Sequence, residues 1–462
     1  MKRFTILVLG VVFNFYLYGQ TVDSLKIEIG ESTFDARIIA KHLEIPWDLV
    51  WGPDQALWFT EKKGTINRIN PETGKVEQVG AVEDVYVSPK ENAGMHSMCF
   101  HPNWPDSSYL FVHYVNSETT SKIEKFKIDI PSLKVVAHYP LITGIIAARS
   151  HNGSRMTVDA TNNILISIGD GYLFYPAQEL NSLNGKVLRF TPSGAIPNDN
   201  PFPNSYTWSL GHRNPQGLVY ASNGKLYCSE HGPTTDDEIN IIQKGGNYGW
   251  PKVNGFCDLP SEQPFCDQNK VVEPLWIWTP TSAPSGITYY DKNYFPEWNN
   301  NLLQAYLKGR AISAMQLNKE GTQIENDIRY FENDYYRLRD VEVAKDGSIY
   351  IATSNKETTL PPVKDNDDKI IHITNLNLVK SPLSFNNIKV DKNLMEFNFT
   401  NDEEEGRIQL TTFYGGEITG ANILANEKGQ LNYQFTEPGI YWLKLLKKDR
   451  MITKLMIVKN ND

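Results

Sequence analysis

Residues 218–229 read L-V-Y-A-S-N-G-K-L-Y-C-S. Two short apolar runs flank a polar turn centred on Asn223-Gly224, and an Asn-Gly pair supplies the positive φ angles that a tight two-strand connection requires. The stretch encodes a β-hairpin. The same design returns as L-V-W-G-P-D-Q-A-L-W-F-T from Leu49, M-C-F-H-P-N-W-P-D-S-S-Y-L-F-V from Met98, M-T-V-D-A-T-N-N-I-L-I-S from Met156 and V-E-V-A-K-D-G-S-I-Y-I-A from Val341. The copies are spaced by roughly 50 to 60 residues, with about twice that gap before Val341, and a period of this size is that of propeller blades.

The segment G-I-T-Y-Y-D-K-N-Y-F-P-E-W-N-N-N-L-L-Q-A-Y-L-K-G-R, starting at Gly286, fills the wide gap with a sixth unit. The chain is therefore expected to be all-β, with a six-bladed β-propeller whose central funnel opens between loops. The repeats run from about Leu43 to Asn375, and residues 21–375 are assigned to this domain. A two-sheet sandwich would also give short strands, but not a blade-length period.

Outside the repeats the chain changes character. Residues 376–462 carry an acidic run, D-E-E-E from Asp402, and alternating strands that end P-G-I-Y-W-L-K-L-L-K-K-D-R-M-I-T-K-L-M-I-V-K-N. This suits a small β-sandwich, with the acidic run as a solvated turn. Residues 1–20 place Lys2 and Arg3 before an apolar run and a small Gly19, the layout of a secretory signal peptide. Export to the medium, the cell surface or the periplasm is expected.

Hydrophobic residues make up 40% and charged residues 21% of the chain, so core size is not limiting. With 45 Lys and Arg against 54 Asp and Glu, the formal charge of −9 argues against nucleic acid or an anionic membrane as the main partner. Of the four cysteines, Cys257 and Cys266 share one loop-like segment, and an oxidising compartment makes a local disulfide the plain reading. Cys99 and Cys228 lie in strand-like apolar contexts and read as buried free thiols.

Four polar clusters fall at the ends of expected strands. S-H-N-G-S-R holds His151 and Arg155, and Asp170 follows in I-S-I-G-D-G. A lone loop histidine more often serves the backbone, whereas one oriented by a carboxylate is a general base near neutral pH. G-H-R-N-P-Q-G, residues 211–217, sets Arg213 and Asn214 between turn residues, a planar donor array suited to a carboxylate, a quinone oxygen or a phosphate. Asp236, Asp237 and Glu238, in S-E-H-G-P-T-T-D-D-E-I-N, read either as a solvated run or as oxygen ligands for Ca²⁺. P-T-S-A-P-S, L-K-G-R and Y-R-L-R-D contribute Thr281, Lys308, Arg337 and Arg339. Alternation puts the last two on one strand face, where they repel unless an anion lies between them.

Taken in order, these motifs, with G-G-N-Y-G-W-P at 245–251, resemble the soluble aldose dehydrogenases dependent on pyrroloquinoline quinone (PQQ), the glucose/sorbosone dehydrogenase family. The likeness spans about Leu43 to Asn375 and implies a six-bladed propeller that oxidises an aldose at its anomeric carbon to a lactone and passes electrons to an external acceptor. It implies that His151 is the general base, Asp170 its supporting carboxylate, and Arg213 the donor that polarises the quinone oxygen. Asn92, Asn214, Thr281, Lys308, Arg337 and Arg339 match cofactor-binding positions. Gly232 and Pro233 resemble carbonyl ligands of the Ca²⁺ on the cofactor, and Glu238 and Tyr248 ligands of a second, structural Ca²⁺.

There are departures. Asn92 stands in N-A-G-M-H-S-M where the family often has Gln, and Ser150 where some relatives have Asp. Two other readings stay open: a Ca²⁺-dependent lactonase and a non-catalytic carbohydrate-binding propeller. The last strands also resemble the C-terminal sorting modules of type IX secretion, which would make the outer-membrane secretion machinery a partner. Such a module predicts that protein recovered from the medium lacks roughly its last eighty residues, about a small domain. Intact-mass measurement on secreted protein checks this, and a full-length C-terminus would overturn it.

Overall fold

The stretch from Leu49 folds as a hairpin of strands Pro46–Trp51 and Leu57–Glu61, paired antiparallel from Pro46 opposite Glu61 to Trp51 opposite Leu57. The computed structural model describes residues 24–378 except 72, 89–90 and 358–366, and the strands between 384 and 458. Each of the other five repeated stretches likewise supplies the first two strands of an antiparallel sheet. The first strands are Pro46–Trp51, Met95–Phe100, Gly153–Val158, Pro215–Tyr220, Pro284–Tyr290 and Leu338–Val343. Each packs on the next, and Leu338–Val343 packs back on Pro46–Trp51. Of the second strands, Leu57–Glu61, Ile164–Ile168, Leu226–Glu230 and Ile349–Thr353 are buried throughout. A strand covered on both faces needs apolar residues on both, so these segments read as near-continuous apolar runs.

The turns follow the sequence. Gly224 and Gly347 take φ of 81° and 96°, as the Asn-Gly and Asp-Gly pairs require. In the third unit Asp159 Oδ1 accepts the N–H of Thr161 and Asn163, at 2.8 and 3.0 Å, an Asx turn in place of a glycine.

One pair of strands was not foreseen. The repeats begin near Leu43, yet Ser24–Ile29 and Ser32–Leu43 precede them and complete the last sheet, in the order Ser24–Ile29, Ser32–Leu43, Asp368–Asn375, Ile349–Thr353, Leu338–Val343. Phe34 is fully buried there and stacks on Phe295 with ring centroids 3.9 Å apart. The sheet's third strand ends at Asn375, where the repeat pattern stops.

A buried ion network joins the first strands. Arg155 Nη1 donates to Asp340 Oδ2 at 2.8 Å and also to Asp48 Oδ1. Asp48 accepts the N–H of Met98 at 2.7 Å and Asp340 that of Leu49 at 2.6 Å. Gly286 leaves the space for Asp340, since a Cβ there would lie 1.7 Å from its Oδ1.

Cys257 and Cys266 form the expected disulfide, and Cys99 and Cys228 are free and buried. The segment is not all loop, because Cys266 sits on a short helix, Gln263–Asn269. Beyond 383, Ser384–Asp391, Leu394–Thr400 and Lys428–Gln434 form one sheet, and Gly406–Thr412, Glu417–Ile423, Gly439–Leu446 and Met451–Val458 a second. Ile408, Leu410 and Leu443 are buried in the second. The signal-peptide residues and the acidic run from Asp402 lie outside the described residues.

Replacing Arg155 by Met strands two buried carboxylates, and breaking a buried ion pair in this way costs about 3–5 kcal/mol. Denaturant unfolding of Arg155→Met should show a loss of that order. A loss under about 1 kcal/mol would remove the network from the account of stability.

Candidate active site

The residues just before the first strands converge. Asn92, Ser150, His151, Arg213, Asn214 and Thr281 line an open cleft of about 300 Å³, joined by Gly232 and Pro233 from a neighbouring loop. A larger cavity of about 670 Å³ lies at the other ends of the same strands, lined by Trp51, Phe100, Trp104 and Glu342. None of the residues assigned a catalytic, cofactor or metal role lines it.

His151 and Asp170 meet as expected. His151 Nδ1 lies 2.8 Å from Asp170 Oδ1, and a carboxylate can only accept, so Nδ1 carries the proton and Nε2 its lone pair. Burial pushes the imidazole below its ordinary value; the Asp170 hydrogen bond opposes this, and the Arg213 charge adds to it. The ring is therefore neutral at pH 7, with a basic nitrogen that has no hydrogen-bond partner among the described residues. Asp170 is fully buried, and its Oδ2 accepts the Trp250 indole N–H at 2.8 Å. Tyr172 stacks on the His151 ring at 3.7 Å.

The backbone here is built for close approach. His151 and Tyr172 have φ of 59° and 63°, a left-handed conformation costing on the order of 1–3 kcal/mol each, which surrounding structure must offset. Gly169 sits so near the His151 loop that a Cβ would lie 2.0 Å from the His151 carbonyl oxygen. Glycine at 169 lets the segment that follows strand Ile164–Ile168 bring Asp170 to the histidine.

Arg213 forms the opposite wall. Its Nη1 donates to the His231 carbonyl at 3.0 Å, and its guanidinium lies over Trp250, 5.3 Å from the ring centroid. Its Nε is buried with no partner among the described residues, and so is the Oδ1 of Asn92. Asn214 is committed to the fold instead: its Oδ1 accepts from Gly153 N–H and Gln216 Nε2, both at 3.1 Å. His231, which motif reading left without a role, lines the cleft and lies 2.8 Å from the Pro284 carbonyl through Nε2. Burial, then Arg213, pushes it down to about 3.

The cationic residues divide into two groups. Lys308 is exposed at the rim and donates to Thr281 Oγ1 at 2.8 Å. Arg337 and Arg339 lie deeper. Arg339 is 1% exposed, sits 3.9 Å over the Trp47 ring and pairs with Glu357. Their expected anion is thus in part the chain's own. Nor do they alternate on a regular strand: Arg337 precedes Leu338–Val343, and a register shift between Leu338 and Asp340 displaces Arg339.

The acidic stretch is neither a solvated run nor a ready-made cluster. Asp237 accepts the N–H of Gly232, Ser282 and Ala283 at 2.9, 2.6 and 2.7 Å, tying two cleft loops together. Glu238 and Tyr248 line a small cavity of about 10 Å³ with Glu230 and Gly232. Burial and neighbouring Glu230 raise Glu238 to about 8. The Tyr248 phenol donates to the Ile241 carbonyl and accepts from Gln243 N–H, so only its backbone carbonyl is left for a cation. Among the described residues no group of three or more His, Cys, Asp or Glu side chains is placed to hold a metal. The carbonyls of Gly232 and Pro233 accept no hydrogen bond from the described residues.

Tyr172, Trp250, Glu230, Glu357 and Lys62 belong to this region but carried no assignment. Glu230 and Trp250 stood in quoted motifs; the others depend on contacts that spacing does not encode. Together the fold and the cleft define an all-β protein that sets a neutral, carboxylate-bound imidazole and a half-buried guanidinium in one cleft. The chain belongs to the glucose/sorbosone dehydrogenase family, whose model matches residues 43–361. It is 30% identical over 414 residues to quinoprotein glucose dehydrogenase B of Acinetobacter calcoaceticus, covering 69% of this chain and 85% of that one. It is 28% identical to aldose sugar dehydrogenase YliI of Escherichia coli, covering 75% and 97%. Among solved structures, the PQQ-bound form of aldose sugar dehydrogenase from Streptomyces coelicolor is similar with a TM-score of 0.65 and 28% identity, covering 74% of this chain and 98% of that one.

The His151 ring should titrate below its unperturbed midpoint of about 6.5. Asp170 holds the protonated form up, so Asp170→Asn should move the midpoint lower still. NMR titration of the ring checks both shifts, and a midpoint above about 7 in the unaltered protein would overturn the neutral-base assignment.

Proposed function

We propose that the chain is an exported dehydrogenase that uses PQQ and Ca²⁺ to oxidise an aldose at its anomeric carbon to the lactone, with electrons leaving to an external acceptor. The carrying observation is that the His151–Asp170 pair and the partnerless Nε of Arg213 share one cleft. The ring of packed first strands supports a closed six-bladed propeller as its frame.

The residues present fit the cofactor. Arg213 Nε and Asn92 Oδ1 are buried polar atoms lacking partners, a costly arrangement unless a ligand supplies them. Lys308 at the rim and Arg337 and Arg339 below would face its carboxylates, with Thr281 beside Lys308. The free carbonyls of Gly232 and Pro233 suit a hard cation, and Glu238 with the Tyr248 carbonyl a second one. When bound, PQQ supplies a quinone carbon that takes up hydride, and Ca²⁺ acts on it as a Lewis acid.

The chain's own contribution follows from the geometry. His151 Nε2 takes the proton of the anomeric hydroxyl as the C–H bond yields its hydride. Asp170, fixed by Trp250, stabilises the imidazolium so formed. Arg213 Nε offers a donor to oxygen that gains negative charge, in a site where burial strengthens the interaction. Asn214 holds the Gly153 turn behind the base and contributes through position. The signal-peptide layout and the resemblance of the final strands support export through the type IX route.

Titration of the calcium-loaded protein with PQQ, read by absorbance and by aldose-dependent dye reduction, should show binding and turnover. His151→Ala and Arg213→Ala should each lower dye reduction by about 10²–10⁴-fold with folding retained. Unchanged rates in both would sink the proposal.

A further inference from the structure

Arg339 reaches the cleft wall through Gln216, which holds Asn214, and on its other side pairs with Glu357, a residue only 7% exposed. Ser354 Oγ donates to Glu357 Oε2 at 2.9 Å. Lys62, itself 3% exposed, has its Nζ 4.0 Å from Glu357 Oε1. Arg337 lies within electrostatic reach and, with Arg339 and Lys62, pulls the Glu357 carboxyl below its ordinary value against the opposing effect of burial. Three cations thus bear on one carboxylate, while Asp340 and Asp368 act at longer range on Arg339 and Arg337.

The match is incomplete in its details. Glu357 Oε1 and Arg339 Nε are both buried without hydrogen-bond partners among the described residues. The Lys62 ammonium donates to the Glu91 carbonyl, and its 4.0 Å approach to Glu357 is too long for a hydrogen bond. Burial pushes Lys62, Arg337 and Arg339 all downward, and Glu357 is the strongest of the charges that oppose it in each case. A permanent buried counter-ion is expected to have its lone pairs satisfied, since each unsatisfied one costs free energy. Glu357 instead meets Arg339 and Ser354 through Oε2 alone and leaves Oε1 without a hydrogen bond.

We propose that Glu357 stands in for a ligand carboxylate among Lys62, Arg337 and Arg339, and gives up its pairing with Arg339 when the anionic cofactor enters. The inference rests on the PQQ reading above and assigns Glu357 as the residue that sets cofactor affinity from within. An internal competitor lowers apparent affinity by the fraction of molecules in which it holds the site, so removing its charge tightens binding. A purely structural carboxylate has the opposite effect, because its loss would let Arg339 shift.

The test is PQQ binding to the calcium-loaded, cofactor-free protein, followed by fluorescence quenching in unaltered chain, Glu357→Gln and Glu91→Gln. Glu357→Gln should bind about tenfold more tightly, through the fraction freed from self-pairing. Glu91→Gln, which removes an equal charge from the exposed surface near Lys62, should change the dissociation constant by less than about twofold. Equal or weaker binding by Glu357→Gln overturns the inference while leaving the PQQ reading intact. Binding by none of the three overturns that reading and this one with it. The crystal structure of the PQQ-loaded unaltered protein tests the same point without a variant: an Arg339–Glu357 pair still intact there overturns the proposal.

Discussion

The guanidinium of Arg155, shared between Asp48 and Asp340, is the constraint on which the arrangement depends. It comes from the first strand of the third sheet and grips the first strands of the first and sixth. Those two strands belong to sheets whose residues are separated by nearly the whole repeat region, so nothing local holds them in register. Burial makes the network unforgiving: Asp48 is raised to about 7 by loss of solvent, with Arg155 pulling it down and Asp340 pushing it up. Because the first strands are held in common register, the residues immediately before them reach one rim together, and the cleft results.

Around that cleft a neutral imidazole and buried guanidinium groups feel one physical cause. Burial disfavours charge, which keeps the His151 lone pair free at neutral pH and pushes the Arg213 and Arg339 guanidinium groups below their ordinary value against the pull of neighbouring carboxylates. The same desolvation therefore acts on the imidazole and on the guanidinium groups.

Much of this was legible in the sequence, for identifiable reasons. Hairpins show because alternation and Asn-Gly or Asp-Gly turns are local signals, and all six repeated stretches became first and second strands. His151 and Asp170 were legible as a pair because they flank one hairpin, 19 residues apart. What stayed hidden depends on contacts through space: Glu357 against Arg339 and Lys62, Trp250 holding Asp170 across 80 residues, Tyr172 covering the histidine. Asn214 and Tyr248 show another limit. Their motifs placed them at the right loops, but which of their atoms the fold had already engaged could be seen only in three dimensions.

The last sheet is completed by Ser24–Ile29 and Ser32–Leu43, which pair against Asp368–Asn375. A chain growing from its N-terminus therefore makes the outer strands of that sheet first and their partner last. Until residues near Asp368 emerge, the hydrogen-bonding edge of Ser32–Leu43 stays unmatched, an open template of the kind that favours mispairing. Completion of this sheet is thereby tied to synthesis of the last repeat, and a polypeptide truncated before Asp368 keeps an adhesive edge on Ser32–Leu43.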